Sequence, residues 1–242
     1  MESEYISIGK AAKMLGVTTT TLRRWDKNGK FEAIRTPSGR RVYPIVQVES
    51  LLHTTTLFSE ASRWIEDDIS REPDEKFYCQ NSSVFQTRIM KLEKELSLVE
   101  NLKATYPLIV AATGEIGNNS FDHNIGNWPD VPGIFFGYDL IARQIVLADR
   151  GQGILRTLKR VRPGLENDEQ ALLVAFTEIL SGRAPEERGN GLKFVKKIVP
   201  IADIELFFQT GNATVKFTKE KKDANVLHSE KSFRGCLALI KF

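Results

Sequence analysis

The chain has 242 residues, 41% hydrophobic and 27% charged, with a net charge of +3. That is the composition of a soluble globular protein able to build its cores without a disulfide or a structural metal, and its length allows one large domain or two small ones. Cys79 and Cys236 fit no metal spacing, no apolar run nears the ~18 residues of a membrane span, and the acidic start Met1-Glu2-Ser3-Glu4 leads into no signal segment, so a reduced, cytoplasmic protein with no membrane partner is expected.

Charge is unevenly placed. Between residues 10 and 41, Lys10, Lys13, Arg23, Arg24, Lys27, Lys30, Arg35, Arg40 and Arg41 stand against only Asp26 and Glu32, which suits a polyanion partner. Ser7 is placed to cap a helix through Lys10 to Leu15 that stops at Gly16. Thr18 or Thr19 can cap a second helix carrying Leu22, Arg23, Arg24 and Trp25 and ending near Asn28-Gly29. Phe31 to Ile34 and Arg41 to Tyr43 read as short strands around Thr36-Pro37-Ser38-Gly39, and a third helix starts after Pro44.

Two helices joined by a short Gly-containing turn, with Arg-Arg on the second, form a helix-turn-helix pattern. Thr19, Thr20, Arg23 and Arg24 would lie on the helix entering the major groove of double-stranded DNA. Arg35, Arg40 and Arg41 would line a basic wing. The stretch ISIGKAAKMLGVTTTTLRRWDKNGKFEAIRTPSGRRVYP resembles the MerR/excisionase winged-helix family, and the N-terminal module of transposon-borne serine recombinases that share its fold. The resemblance covers about the first fifth of the chain, and no recombinase domain follows it.

Residues 56–104 read as a linker and connecting helix. Arg71 to Lys76 is charged and interrupted by Pro73, and Val84, Ile89, Leu92, Leu96, Val99 and Leu102 form a helical stripe. A helix from about Pro107 to Asn124 follows. Strands are expected at 134–136, 141–149, 204–209, 213–218 and 236–242, and helices at 169–180 and 192–199.

Three motifs in this half carry chemistry. Glu115 and Asn119 are four apart and face one way on a helix. The Asn oxygen can hold Mg²⁺, and the Glu can orient or deprotonate a water. Asp149-Arg150-Gly151-Gln152-Gly153 follows a β-branched strand, and its aspartate offers an acceptor to an exocyclic amino group such as adenine N6. Gly189-Asn190-Gly191 opens a helix whose N–H groups could meet a phosphate. Each motif alone also fits an ordinary helix or turn.

The ordered set resembles the GHKL ATPases, which include gyrase B subunits, Hsp90-type chaperones and histidine kinases. The resemblance implies a Bergerat fold over residues 105–242, with ATP and Mg²⁺ as cofactors. Glu115 and Asn119 match its N-box, with Glu115 catalytic and Asn119 on the metal. Asp149, Gly151 and Gly153 match the first glycine box, and Gly189 and Gly191 the second. A lid would lie between Ile154 and Arg188. Gly235-Cys236 stands where the family often has Gly-Thr.

The expected architecture is therefore α+β in two domains: a winged helix-turn-helix over 1–55, and an α/β sandwich of the Bergerat ATPase type over 105–242. The expected function is an ATP-binding, DNA-binding regulator with slow Mg²⁺-dependent ATPase activity. An anti-sigma-type protein serine/threonine kinase with a DNA-localising domain, and a non-catalytic antitoxin or assembly partner, are the alternatives. A homodimer and a protein partner stay open.

Overall fold

The computed structural model describes residues 5–178 and 191–242. The chain divides into two compact units, Met1–Thr56 and Leu57–Phe242. It is an α+β protein, with a small helix-turn-helix region followed by a larger unit of helices on a five-stranded antiparallel sheet.

The first unit runs β1 (Tyr5–Ser7), α1 (Ile8–Met14), α2 (Thr19–Lys27), β2 (Ile34–Arg35), β3 (Arg41–Pro44) and the start of α3 (Ile45–Glu66). Local chemistry sets the helix ends. The Ser7 hydroxyl accepts from the Lys10 N–H at 3.3 Å, and the Thr18 hydroxyl from the Thr21 N–H at 3.1 Å, each satisfying a donor the helix cannot. Gly16 takes a φ of 65° directly after α1, a conformation that a β-carbon would oppose. Ile6, Ala11, Ala12, Leu22, Tyr43 and Val48 are buried together, and Phe31 stacks on Tyr43 with centroids 4.9 Å apart. Strand β1 is not anticipated by the sequence. Its three residues are too few to show alternation, and its pairing of Ile6 with Tyr43 is long-range.

The second unit follows with β4 (Tyr78–Cys79), α4 (Ser82–Ser97), α5 (Tyr106–Asn124), β5 (Ile134–Asp139), β6 (Gln144–Asp149), α6 (Gly153–Leu158), α7 (Asp168–Thr177), α8 (Gly191–Ala202), β7 (Glu205–Phe217) and β8 (Val226–Lys241). The sheet order is β4-β5-β6-β8-β7, and every neighbouring pair is antiparallel. Strand alternation sorts its side chains onto two faces. Ile134, Phe136, Ile145, Leu147, Leu206 and Phe208 face a core with α4, α5, α7 and α8. Phe135, Val146, Ala148 and Leu237 face the other way, onto Leu57, Ala61, Trp64 and Ile65 in the last turns of α3.

Residues 57–104 do not stand apart from this unit. Phe85, Ile89, Leu92 and Leu96 of α4 lie in its main core, so the apolar stripe seen in the sequence is a packing face. Of the stretch expected as a lid, residues 179–188 lie outside the described residues; before them, Leu158, Leu165, Ala171 and Val174 close a core between α6 and α7, and Leu172 and Phe176 join the sheet core. The expected strands at 204–209 and 213–218 are one strand, β7, with register shifts between Thr210 and Ala213. β8 begins at Val226 rather than Cys236, because its polar half, His228 to Arg234, shows no apolar alternation. Among the described residues no helix is long and apolar enough to cross a membrane.

Candidate functional site

The helix-turn-helix presents its basic residues in two ways. Thr20, Arg23 and Arg24 are exposed along α2, and Thr19 is half-buried at its first position. Leu22 turns inward and is fully buried, so the exposed residues share the outer face. Arg40 is exposed at the tip of the β2–β3 turn. Arg35 and Arg41, the other two wing residues expected on DNA, are gathered by one acid. Asp26 Oδ2 accepts from Arg41 Nε at 2.6 Å and from Arg35 Nη2 at 3.1 Å, while Asp26 Oδ1 accepts from the Ala33 N–H at 2.9 Å. The Ala33 N–H and the Arg41 guanidinium hold the Asp26 carboxyl below its ordinary range. These bonds tie the wing to α2, a positioning role for Asp26 that the sequence alone does not show. The signal available in the sequence is that Asp26 is one of only two acids, with Glu32, between residues 10 and 41.

In the second unit, α5, the end of β6, the start of α6 and the start of α8 surround a pocket. Asn119, Ser120, Asp149, Gly153 and Gly191 line it, with Ile116, Leu158 and Phe208 as apolar walls. Asp149 closes β6 and is 2% exposed. Its Oδ2 accepts from the Ser120 hydroxyl at 2.7 Å, and its Oδ1 from the Gly151 N–H at 2.9 Å. Burial pushes the Asp149 carboxyl up, and the bonds from Ser120, Gly151 and the Cys236 backbone offset this only in part. The arrangement is a buried acceptor at an apolar wall, suited to a flat ligand bearing an amino group.

The two residues of the first motif come together as their spacing predicts. A β-carbon on Gly191 would lie 2.7 Å from Glu115 Oε2 and 3.0 Å from Asn119 Nδ2, so the start of α8 closes on the ends of both side chains. Asn119 lines the pocket, while Glu115 sits one turn back, against Gly191. Gly151 is packed on Asn124, and the Gln152 N–H donates to Asn124 Oδ1 at 2.8 Å. Gly189 lies outside the described residues. Cys236 pairs in register with Asp149, and the hydroxyl beside it belongs to Thr210 of β7, which donates to the Gly235 carbonyl at 3.0 Å and accepts from the Ile154 N–H at 3.2 Å. A hydroxyl thus reaches this wall from the neighbouring strand, a pairing the sequence alone did not show.

Gly235 is the tightest point of this wall. Its φ is 90°, and a β-carbon there would stand 1.9 Å from the Asp149 carbonyl oxygen. Gly235→Ala is expected to cost at least about 3 kcal/mol, combining backbone strain with overpacking. Urea unfolding reads this out, and an unchanged midpoint would contradict the close approach.

The family described as MerR family regulatory protein matches residues 7–43. A comparison with curated proteins gives no match. The matched span begins at the α1 cap and ends in β3, so it contains the helix-turn-helix and the wing hairpin.

Proposed function

We propose that this chain, a MerR-type DNA-binding transcription regulator by its residues 7–43, is an ATP-responsive one whose second unit is a GHKL-type nucleotide-binding domain of Bergerat fold. One observation carries the reading: the buried Asp149 carboxylate stands at the apolar wall of a pocket that also holds Asn119 and the glycine-opened start of α8. The residues fit the ligand. Asp149 would accept from the adenine amino group, and a guanine would set its carbonyl oxygen against the same carboxylate. Gly191 has no side chain where one would collide with Glu115 and Asn119, which keeps the start of α8 open to a phosphate. Asn119 would hold Mg²⁺ through its side-chain oxygen, and Glu115 would orient a water. Bound ATP would supply a phosphoanhydride bond open to slow hydrolysis.

The regulator reading is tested by titrating duplex DNA into the full chain with and without a non-hydrolysable ATP analogue and Mg²⁺. DNA affinity should shift by about 5–150-fold, and DNA should shift analogue affinity by the same factor. Identical DNA curves in both states would leave the two units merely tethered and end the regulator reading.

A further inference from the structure

Arg150 follows Asp149 directly, and its side chain leaves the pocket in the other direction. The residue is 6% exposed. Its Nε and Nη2 donate to Asp130 Oδ2 at 2.7 and 2.5 Å, an ion pair in which each side chain is 7% exposed. Its Nη1 donates to the Trp64 carbonyl at 2.7 Å and to the Asp67 carbonyl at 2.6 Å. Trp64 lies in the last turn of α3, and Asp67 follows it. Helix C-termini leave carbonyls without intrahelical donors, and a guanidinium answers both the missing bonds and the negative end of the helix. One buried cation therefore caps α3 while its own backbone is part of the Asp149 loop.

That loop is pinned on its pocket side too. Ser120 and the Gly151 N–H hold the two Asp149 oxygens, and Asn124 accepts from the Gln152 N–H. A β-carbon on Gly151 would fall 2.1 Å from Asn124 Nδ2, so the loop has no slack on that side. A ligand amino group donating to Asp149 competes with Ser120 and Gly151 for the same oxygens. Any adjustment it causes bears on the Arg150 backbone, and with it on the two carbonyl bonds that hold the end of α3. Helix α3 begins at Ile45, the residue after wing strand β3.

We infer that Arg150 is a positioning residue that transmits the occupancy of the Asp149 pocket to the C-terminal end of α3, through its bonds to Asp130, Trp64 and Asp67. This rests on the nucleotide reading above and adds the route of regulation to it. A purely structural ion pair would stabilise the unit equally with or without ligand. A coupling clamp must behave differently in the two states.

Two measurements on the full chain decide this, with analogue binding itself followed by calorimetry. In the wild type, hydrogen exchange of the backbone amides of 61–67 should change at least about threefold when the analogue and Mg²⁺ bind. Arg150→Lys keeps the charge but cannot span one carboxylate and two carbonyls in a planar fork. It should bind the analogue within about threefold of wild type, while the analogue-induced shift in DNA affinity falls below about twofold. A wild type that binds the analogue with exchange at 61–67 unchanged overturns the clamp alone, even if Arg150→Lys does not fold. A folded Arg150→Lys that keeps the wild-type shift overturns it equally. A wild type that does not bind the analogue overturns the nucleotide reading and the clamp with it.

Discussion

Asp149→Asn should lose ATP affinity by at least about 100-fold while making the ligand-free protein more stable at neutral pH. The two effects share one cause. Asp149 is buried, so its charge is costly in the folded chain and its carboxyl is pushed up. For a folded-state pKa raised above the unfolded value, the stability contribution is present below the unfolded pKa and is lost as pH rises through the folded one. The wild type therefore gives up stability between acid and neutral pH that Asp149→Asn retains. The amide fits the same site, since Oδ1 can keep the Gly151 N–H and the amide nitrogen can donate to the Ser120 hydroxyl. That orientation turns a donor toward the ligand amino group. Flipping the amide instead turns a donor onto Gly151. Binding is read by calorimetry and stability by thermal unfolding at pH 4 to 8. The variant should melt above wild type at pH 7, and the gap should close on acidification. Undiminished affinity would remove Asp149 from the ligand, whatever the melting curves show.

The legible parts of this molecule were those whose cause is local. Ser7, Gly16 and Thr18 mark the ends of α1 and α2 through caps that any reader of the chain can see. The four-residue spacing of Glu115 and Asn119 puts both on one helical face, and the structure sets both against Gly191. What stayed hidden depends on distant partners. Asp26 looked like one acid among many cations until the fold brought Arg35, Arg41 and Ala33 to it. Thr210 lies 26 residues before Cys236, yet the β7–β8 pairing places their side chains together. Arg150 stood inside a motif read for its glycines, and its bonds to Trp64 and Asp67 span more than 80 residues. The packing of α6 on α7 was hidden as well, because the core between them, from Leu158 to Val174, is small and has no strand beside it in sequence.

Replacing Arg23, Arg24 and Arg40 together by alanine should weaken DNA binding by about two orders of magnitude at physiological salt, and lower the slope of log affinity against log salt by about 2.7. All three are exposed, and among the described residues none is in an ion pair, so their charge is available to a polyanion. Arg41 carries the same formal charge, but Asp26 Oδ2 holds its Nε at 2.6 Å, and Arg35 shares that oxygen. A cation already matched by a carboxylate displaces few counterions from DNA. Arg41→Ala should therefore weaken binding with almost no change in salt slope, because the wing loses its tie to α2 rather than a phosphate contact. Asp26→Ala should do the same to the wing while leaving both arginines unpaired, so its salt slope should rise rather than fall. The measurement is anisotropy of a labelled duplex between 50 and about 300 mM salt for the four proteins, at one pH. If Arg41→Ala lowers the slope by about one unit, as a phosphate-contacting arginine would, then DNA draws Arg41 away from Asp26 on binding. The acid would in that case act as a latch opened by the duplex, not as a fixed strut of the wing.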